Sequence, residues 1–301
     1  MKLAMFTHRG NMSVGKVVGD RVIDLRAVGD AADDVVSLIT AMWRDSVLRE
    51  SVETLESPSY LLADVVLNAP VPHPGKFLAI GMNYREHADE ARRAGVKVPD
   101  SQLWFNKQVT SVTGPFDPVH YPHVVKELDY EAELGVVIGA RCRYASSDEA
   151  LSAVAGYLVI NDVSARDWQA RSPTFTLGKS FDTHGPTGPW VTTADEIGDP
   201  QDLQLRLTVN GIVRQQASTR SMIYSVAEQI SYLSQVMTLM PGDLLATGTP
   251  AGVGIAMSPP SLLSIGDVVR VEVDKIGFIE NRIVAEPDAV RRLDTAKPAG
   301  D

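Results

Sequence analysis

Two glutamates and an aspartate, each tied to an apolar run, are the residues of this 301-residue chain best suited to chemistry. Glu131 and Glu133 lie inside LDYEAELGVVIG, and Asp162 closes YLVIND. In a β-strand, residues i and i+2 point to the same face, so the Glu-x-Glu pair aims both carboxylates at one spot, about 7 Å apart along the backbone. Like charges held that close in a partly desolvated strand raise each other's pKa. A hard divalent cation such as Mg2+ prefers oxygen ligands and removes the penalty. Taken alone, Glu-x-Glu on a strand is most often a solvated sheet face, and Asp162 alone would suit the N-cap of VSARDWQ. The GVVIG run that follows the glutamates reads as buried on both faces, which puts the pair at the mouth of a buried strand. The three together form a carboxylate set that leaves coordination positions open for water and substrate.

A second group carries proton chemistry. His87 and Glu90 stand three apart in REHADE, on one helix face, where the carboxylate fixes the imidazole tautomer and raises its basicity. Such a histidine is a candidate general base; the plain alternative is a charged surface helix. Lys179, opening KSFDTHGPTGP, can neutralise a substrate carboxylate or a developing enolate, or else be a solvated loop lysine. Arg166 and Gln169, in SARDWQ, follow Asp162 closely enough to orient a substrate. The loop TGTPAGVG lacks the Gly-Lys-Ser/Thr ending of a phosphate-binding P-loop, but can present Thr249 and backbone amides to an anion. No GxSxG elbow and no HExxH helix occur, and Cys142 has no histidine near it in sequence, which argues against serine or thiol nucleophiles.

The elements that must position these groups are mostly short strands. KLAMFTH, SVGKVVG and RVIDL read as strands of a small β-rich module over residues 1–70, with a helical stretch behind them. NAPVPHPGK (68–76) reads as a linker, because Pro suits neither helix interior nor central strand. A main domain over 71–290 then opens with the strand KFLAIG and the helix NYREHADEARRAG, stopped at Gly95. The stretch from Val96 to Pro122, punctuated by Pro and Gly, reads as a long loop of the kind that covers substrate. SSDEALSAVAG reads as a helix, and KSFDTHGPTGPWVTT as a Gly/Pro-rich segment. Asn210-Gly211 marks a hairpin, SVAEQISYLSQVM an amphipathic helix, PGDLLATGTP a strand into a glycine loop, and GDVVRVEVDKIGFIENRIV a closing hairpin. Residues 291–301 read as a disordered tail. Without regular βα alternation, the fold class expected is a β-rich α+β architecture.

Composition narrows the function class. The chain is 44% hydrophobic and 22% charged, enough apolar material for a sizeable core. The net charge of -10, with basic residues scattered, argues against nucleic-acid and anionic-membrane partners. One cysteine allows no disulfide framework, and no apolar run reaches a membrane span; a cytoplasmic location is expected.

The ordered motifs GMNYREHADE, LDYEAELGVVIG, INDVSARDWQ, LGKSFDTHGPTGP and PGDLLATGTPAGVG resemble the fumarylacetoacetate hydrolase family, in its branch of acylpyruvases, oxaloacetate decarboxylases and hydroxymuconate isomerases. The resemblance runs from about Lys76 to about Ile283, and the first 70 residues look like the family's variable N-terminal module. It implies a mixed β-sandwich roll, commonly a homodimer, with Mg2+ or Mn2+ on Glu131, Glu133 and Asp162. It further implies a catalytic group of His87, Glu90 and Lys179, the first two on a lid that orders over substrate, and substrate contacts from Tyr84, Arg166, Gln169 and Thr249. The implied substrate is a small 2-oxo or 2,4-dioxo acid of aromatic catabolism, cleaved between carbons to a pyruvate-like product and a carboxylic acid. Oxaloacetate decarboxylation, hydroxymuconate isomerisation and a catalytically silent ligand-binding role remain as alternatives on the same residues. Two departures bear on specificity: Met82 precedes Asn83-Tyr84 where Leu or Arg is usual, and THGPTGP replaces an aromatic-containing version.

Overall fold

The computed structural model describes residues 1–29 and 33–288. Apolar alternation at the N-terminus gives β1 (Lys2–His8) and β2 (Asn11–Val18), a hairpin closed by Arg9 and Gly10, both at positive φ. β3 (Arg21–Asp24) extends it. Two helices follow, α1 (Val35–Met42) and α2 (Ser46–Thr54), each started by an aspartate, Asp34 or Asp45, whose carboxylate accepts from first-turn amides. α1 buries Val35, Val36, Leu38, Ile39 and Met42 against a core that also contains Leu3, Val137, Val191 and Leu244. β4 (Ser59–Leu61) and β5 (Val66–Asn68) complete this part. The sheet and the core both continue across residue 70, because β1 also pairs with a strand near residue 191.

The expected strand and helix after the Pro-rich stretch are β6 (Phe77–Gly81) and α3 (Arg85–Arg93), with Gly95 at φ +79 beyond the helix end. The long stretch after it differs from the loop expected. It contains β7 (Leu103–Lys107), β8 (Val112–Thr113) and β9 (Val119–Tyr121), and β7 pairs residue for residue with β6. Short strands at sheet margins tolerate the Pro and Gly that suggested a loop. β10 (Leu128–Asp129) and the fully buried β11 (Ala132–Ile138) follow.

The helix expected over SSDEALSAVAG is a single turn, α4 (Ser146-capped, Ser147–Ala150), and a 3-10 turn, because Val154 already begins β12 (Val154–Asn161). β13 (Ser164–Ala165), α5 (Arg166–Gln169) and α6 (Thr176–Lys179) lead into β14 (Gly185–Thr193). β14 is a nine-residue strand where a Gly/Pro-rich segment was read; its pairing with β12 shifts register between Tyr157 and Val159, and such irregularity accommodates its prolines. A single-turn helix not read from the sequence, α7 (Ala194–Ile197), follows; the remaining elements match the sequence reading: the Asn-Gly hairpin of β15 (Gln204–Val209) and β16 (Ile212–Ser218), α8 (Val226–Val236) with its Ser225/Glu228 capping box, β17 (Leu244–Ala246), and the hairpin β18 (Val268–Val273) and β19 (Gly277–Ala285).

The strands form a 12-stranded mixed sheet whose main path runs β4-β3-β2-β1-β14-β12-β11-β17-β6-β7, and a five-stranded sheet of order β16-β15-β18-β19-β9. The larger core lies between them, with Val136, Tyr157, Leu205, Val271 and Ile279 all buried. The architecture is the β-rich α+β class that the sequence implied. Among the described residues no helix is long and apolar enough to cross a membrane. The expected tail, 291–301, lies outside the described residues.

Candidate active site

β11 and β12 are antiparallel neighbours in the middle of the large sheet, with Ala132 opposite Asn161 and Glu133 opposite Ile160. Asp162 is the first residue beyond β12, and its backbone N–H donates to the Glu131 carbonyl at 2.9 Å. That bond sets the two carboxylate-bearing residues side by side although they are 31 positions apart in sequence. One oxygen from each of Glu131, Glu133 and Asp162 lies within 4.8 Å of the others, and all three residues are buried.

Two buried lysines reach this cluster. Lys179 Nζ donates to Glu131 Oε2 at 2.8 Å and Asp162 Oδ2 at 2.7 Å. Lys107 Nζ donates to Asp162 Oδ1 at 2.6 Å and to the Lys179 carbonyl. Burial opposes ionisation of Glu131, but the positive charges of Lys179 and Arg166 bring its pKa down to about 2. Glu133 behaves oppositely: burial, then the charges of Asp162 and Glu131, raise it well above the usual carboxylate value. Its carboxylate accepts one hydrogen bond, from Gly248 N–H at 2.7 Å, and no cationic side chain among the described residues lies within ion-pair distance of it. With Asp129 and the Arg166 it shares with Glu131 included, four buried carboxylates face three cations, which leaves one carboxylate, Glu133, without a cationic partner. An all-oxygen donor set with that deficit fits a hard divalent cation, with Glu131, Glu133 and Asp162 as its protein ligands.

Close backbone packing places these groups. At Gly178 a Cβ would stand 2.4 Å from the Gln169 amide nitrogen, so only glycine lets α6 approach α5 and carry Lys179 inward. Gly248 combines φ +101 with its amide on Glu133, and a Cβ there would meet Asn83 at 2.7 Å. Asn83 is fully buried; its side-chain amide donates to the carbonyls of Tyr224 and Thr247 and so ties the start of α3 to the glycine loop.

α3 brings His87 and Glu90 to the same place. His87 Nδ1 lies 3.0 Å from Glu90 Oε2, and Glu90 Oε1 accepts from Gly252 N–H at 3.3 Å. The side chains are 16% and 19% exposed, open enough to meet a solute. His87, Glu90, Glu131, Arg166, Gln169, Lys179 and Thr249 all line one cavity of about 450 Å³. Tyr84, expected to touch substrate, is not among its lining residues. It is fully buried in the main core, and its hydroxyl has no hydrogen-bond partner.

Three further residues shape the site without having been read from the sequence. Asp129 is completely buried, accepts from the amides of Tyr130, Gly254 and Ile255, and holds the Arg166 guanidinium through Nε at 2.9 Å. Arg166 is thereby fixed, with Nη1 2.7 Å from Glu131 and 3.0 Å from Gln169. Gln215 on β16 accepts from Ala132 N–H and donates to Thr249 Oγ1, bracing strand β11 against the glycine loop. Lys107 alone left a signal in sequence: in LWFNK the alternation that buries Phe105 also turns Lys107 inward, and a lysine on the core side of a strand calls for an acidic partner.

The arrangement combines a buried oxygen-donor floor, cations that hold it, an oriented imidazole across the cavity and an open approach. Residues 76–284 match the family described as "Fumarylacetoacetate (FAA) hydrolase C-terminal". The 2,4-didehydro-3-deoxy-L-rhamnonate hydrolase of Sphingomonas sp. (strain SKA58) is 41% identical over 280 residues, 92% of this chain and 94% of that one. The mitochondrial oxaloacetate tautomerase fahd2 of Xenopus laevis is 40% identical over 270 residues, 88% of this chain and 83% of that one. Maleylpyruvate hydrolase from Sphingobium sp. SYK-6, in complex with manganese(II) and pyruvate, superposes with a TM-score of 0.77 at 32% identity, covering 95% of this chain and all of that one. With the motifs in order, the site assembled and the match spanning most of its length, this chain is a member of the fumarylacetoacetate hydrolase family.

Proposed function

We propose that the protein is a divalent-metal-dependent hydrolase that cleaves the C3–C4 bond of a 2,4-dioxo acid, giving pyruvate and a carboxylic acid. The observation that carries this reading is the placement of the His87–Glu90 pair on the same cavity as Glu131, whose carboxylate clusters with those of Glu133 and Asp162 just behind the cavity wall. The Sphingomonas relative supports it, since the substrate in its name carries oxo groups at C2 and C4. A divalent cation, Mg2+ or Mn2+, on Glu131, Glu133 and Asp162 supplies Lewis acidity toward a 2-oxo carboxylate when bound.

The chain's own residues do the rest. Glu90 accepts a hydrogen bond from Nδ1–H of His87, which leaves Nε2 free to take a proton from water. The water oxygen adds to the C4 carbonyl, and the C3–C4 bond breaks with its electron pair passing to C3. C3 then takes the proton back from His87 and becomes the methyl group of pyruvate, while the acyl fragment leaves as a carboxylic acid. Lys179 and Arg166 hold Glu131 ionised, and Gln169 is held on the cavity wall by Arg166.

The test measures pyruvate release from acylpyruvates with Mg2+ and with chelator, in the wild type and in His87→Ala. Chelator-sensitive release, lost in the variant, is the expected result; release that ignores either change overturns the reading. A second reading, keto–enol conversion of oxaloacetate, is favoured by the Xenopus relative and uses His87 as a proton carrier without water addition. Oxaloacetate enol absorbance in the same samples separates the two, and oxaloacetate decarboxylation and hydroxymuconate isomerisation are read from their own products.

A further inference from the structure

We propose that the outer part of the cavity is a binding site for an uncharged, apolar acyl chain, and that it selects against substrates with a second carboxylate. This rests on the reading that a 2-oxo acid occupies the inner, carboxylate-bearing end.

The two ends of the cavity differ in chemistry and depth. The inner end holds Glu131 and Lys179, 6% and 1% exposed; the outer end holds Val96 and Ile255, 47% and 38% exposed. Between them the helix α3 presents a stripe at helical spacing: His87, Ala91 and Ala94 stand at i, i+4 and i+7, and all three line the cavity. From His87 to Ala94 the helix advances about 10 Å, at 1.5 Å per residue. A chain leaving C4 of the substrate next to His87 and following this stripe therefore runs past the methyl groups of Ala91 and Ala94. Phe175 and Val253 contribute further apolar side chains to the lining.

The charges on the lining exclude a second anion. Its cations Arg166 and Lys179 are both already in contact with carboxylates, at Asp129 and Glu131 and at Glu131 and Asp162. The other fixed charges are acidic, Glu90 and Glu127 among them. A carboxylate at the far end of a substrate would give up water for a wall that offers it no cation. An alkyl or aryl end would gain the transfer energy of each buried methylene, roughly a fourfold tighter interaction apiece.

Isothermal titration of the Mg2+-loaded protein with 2-oxobutanoate, 2-oxooctanoate and 2-oxooctanedioate tests this without turnover. 2-Oxooctanoate is expected to bind at least about tenfold more tightly than either of the others. Binding independent of chain length, or a diacid bound as tightly as the monoacid, overturns the proposal. Val96→Arg and Ile255→Arg add a cation at exposed positions that tolerate it, and each is expected to move the preference toward the diacid; two folded variants with the wild-type ranking count against these residues as the selecting wall. Turnover separates the two proposals. If 2-oxooctanoate is preferred and no acylpyruvate is cleaved, the hydrolase reading fails and the acyl site stands. If acylpyruvates are cleaved equally well whatever the length and charge of their tails, the acyl site fails and the hydrolase reading stands.

Discussion

Helix α3 and the carboxylate floor, which reaches it through Glu131, border one cavity, yet they are held in place by opposite means. Glu133 projects from β11, every residue of which is buried, Glu131 directly precedes that strand, and Asp162 directly follows the equally buried β12. Most of the floor's charges meet a counter-charge or an amide. α3 buries only Ala88 along its length. Beyond the buried Asn83 and Tyr84 that precede it, the helix is tied down by contacts at or near the surface: Arg85 to the Arg220 carbonyl, Ser221 to Glu86, and Gly252 N–H to Glu90 at 3.3 Å. The difference fits the roles proposed for each. Like charges concentrated out of water are tolerable only if their compensation is built before ligand arrives. A general base has only to be within reach while substrate is present, so its element can be of low local stability.

The largest effect is expected from breaking the floor. Asp162→Ala leaves Lys107 and Lys179 buried without their shared partner, and should cost on the order of 3–5 kcal/mol of folding stability as well as divalent-ion binding. Urea denaturation and titration calorimetry measure the two losses, and a variant as stable as wild type would show that the floor is not held by this pairing. His87→Ala should lower turnover by about 10²- to 10⁴-fold while leaving ion affinity and the urea midpoint in place. A fall in ion affinity of comparable size would mean that α3 is part of the floor after all.

Glu133 allows a pH test of intermediate size. In protein stripped of divalent ions its pKa stands well above the ordinary carboxylate value, through burial and the neighbouring charges of Asp162 and Glu131. The folded state then holds this proton to higher pH than the unfolded chain does. The group's contribution to stability is fully present below about 4.5 and is lost as pH rises through the raised value. Glu131, brought down to about 2, acts in the opposite sense: its contribution is present above 4.5 and is lost as pH falls toward 2. Urea midpoints in chelator, followed upward from the ordinary carboxylate pKa of about 4.5, should therefore fall with pH more steeply in wild type than in Glu133→Gln. Parallel profiles would refute the assignment of the raised group. The smallest effect is expected at the surface end of α3. Arg85→Ala should change global stability by less than about 0.5 kcal/mol, yet speed amide hydrogen exchange in α3 relative to β11 and β12.

Much of the site was legible because its signals are local. The i, i+2 spacing of Glu131 and Glu133, the i, i+3 spacing of His87 and Glu90, the glycine after α3, the capping box of α8 and the Asn-Gly hairpin each depend on residues a few positions apart. The misreadings have a common origin as well. Pro and Gly were taken as breakers over the stretch after α3 and over β14, where pairing with neighbouring strands outweighed local preference. Tyr84 was assigned to the substrate from its place in a motif, while the fold turns its ring into the core.

By itself the sequence determined which residues could act: the three carboxylates, the histidine with its glutamate, and the strands and helix that carry them. Only the tertiary structure decided how they are held. Lys107 meets Asp162 across 55 positions, Glu131 meets Lys179 across 48, and Asp129 gathers the amides of residues 254 and 255 with Arg166. Backbone periodicity is fixed by covalent geometry within a few residues, so it is written in the order of the chain. Compensation of buried charge depends on distance in space and on the exclusion of water, and neither exists until the strands have paired and the core has closed.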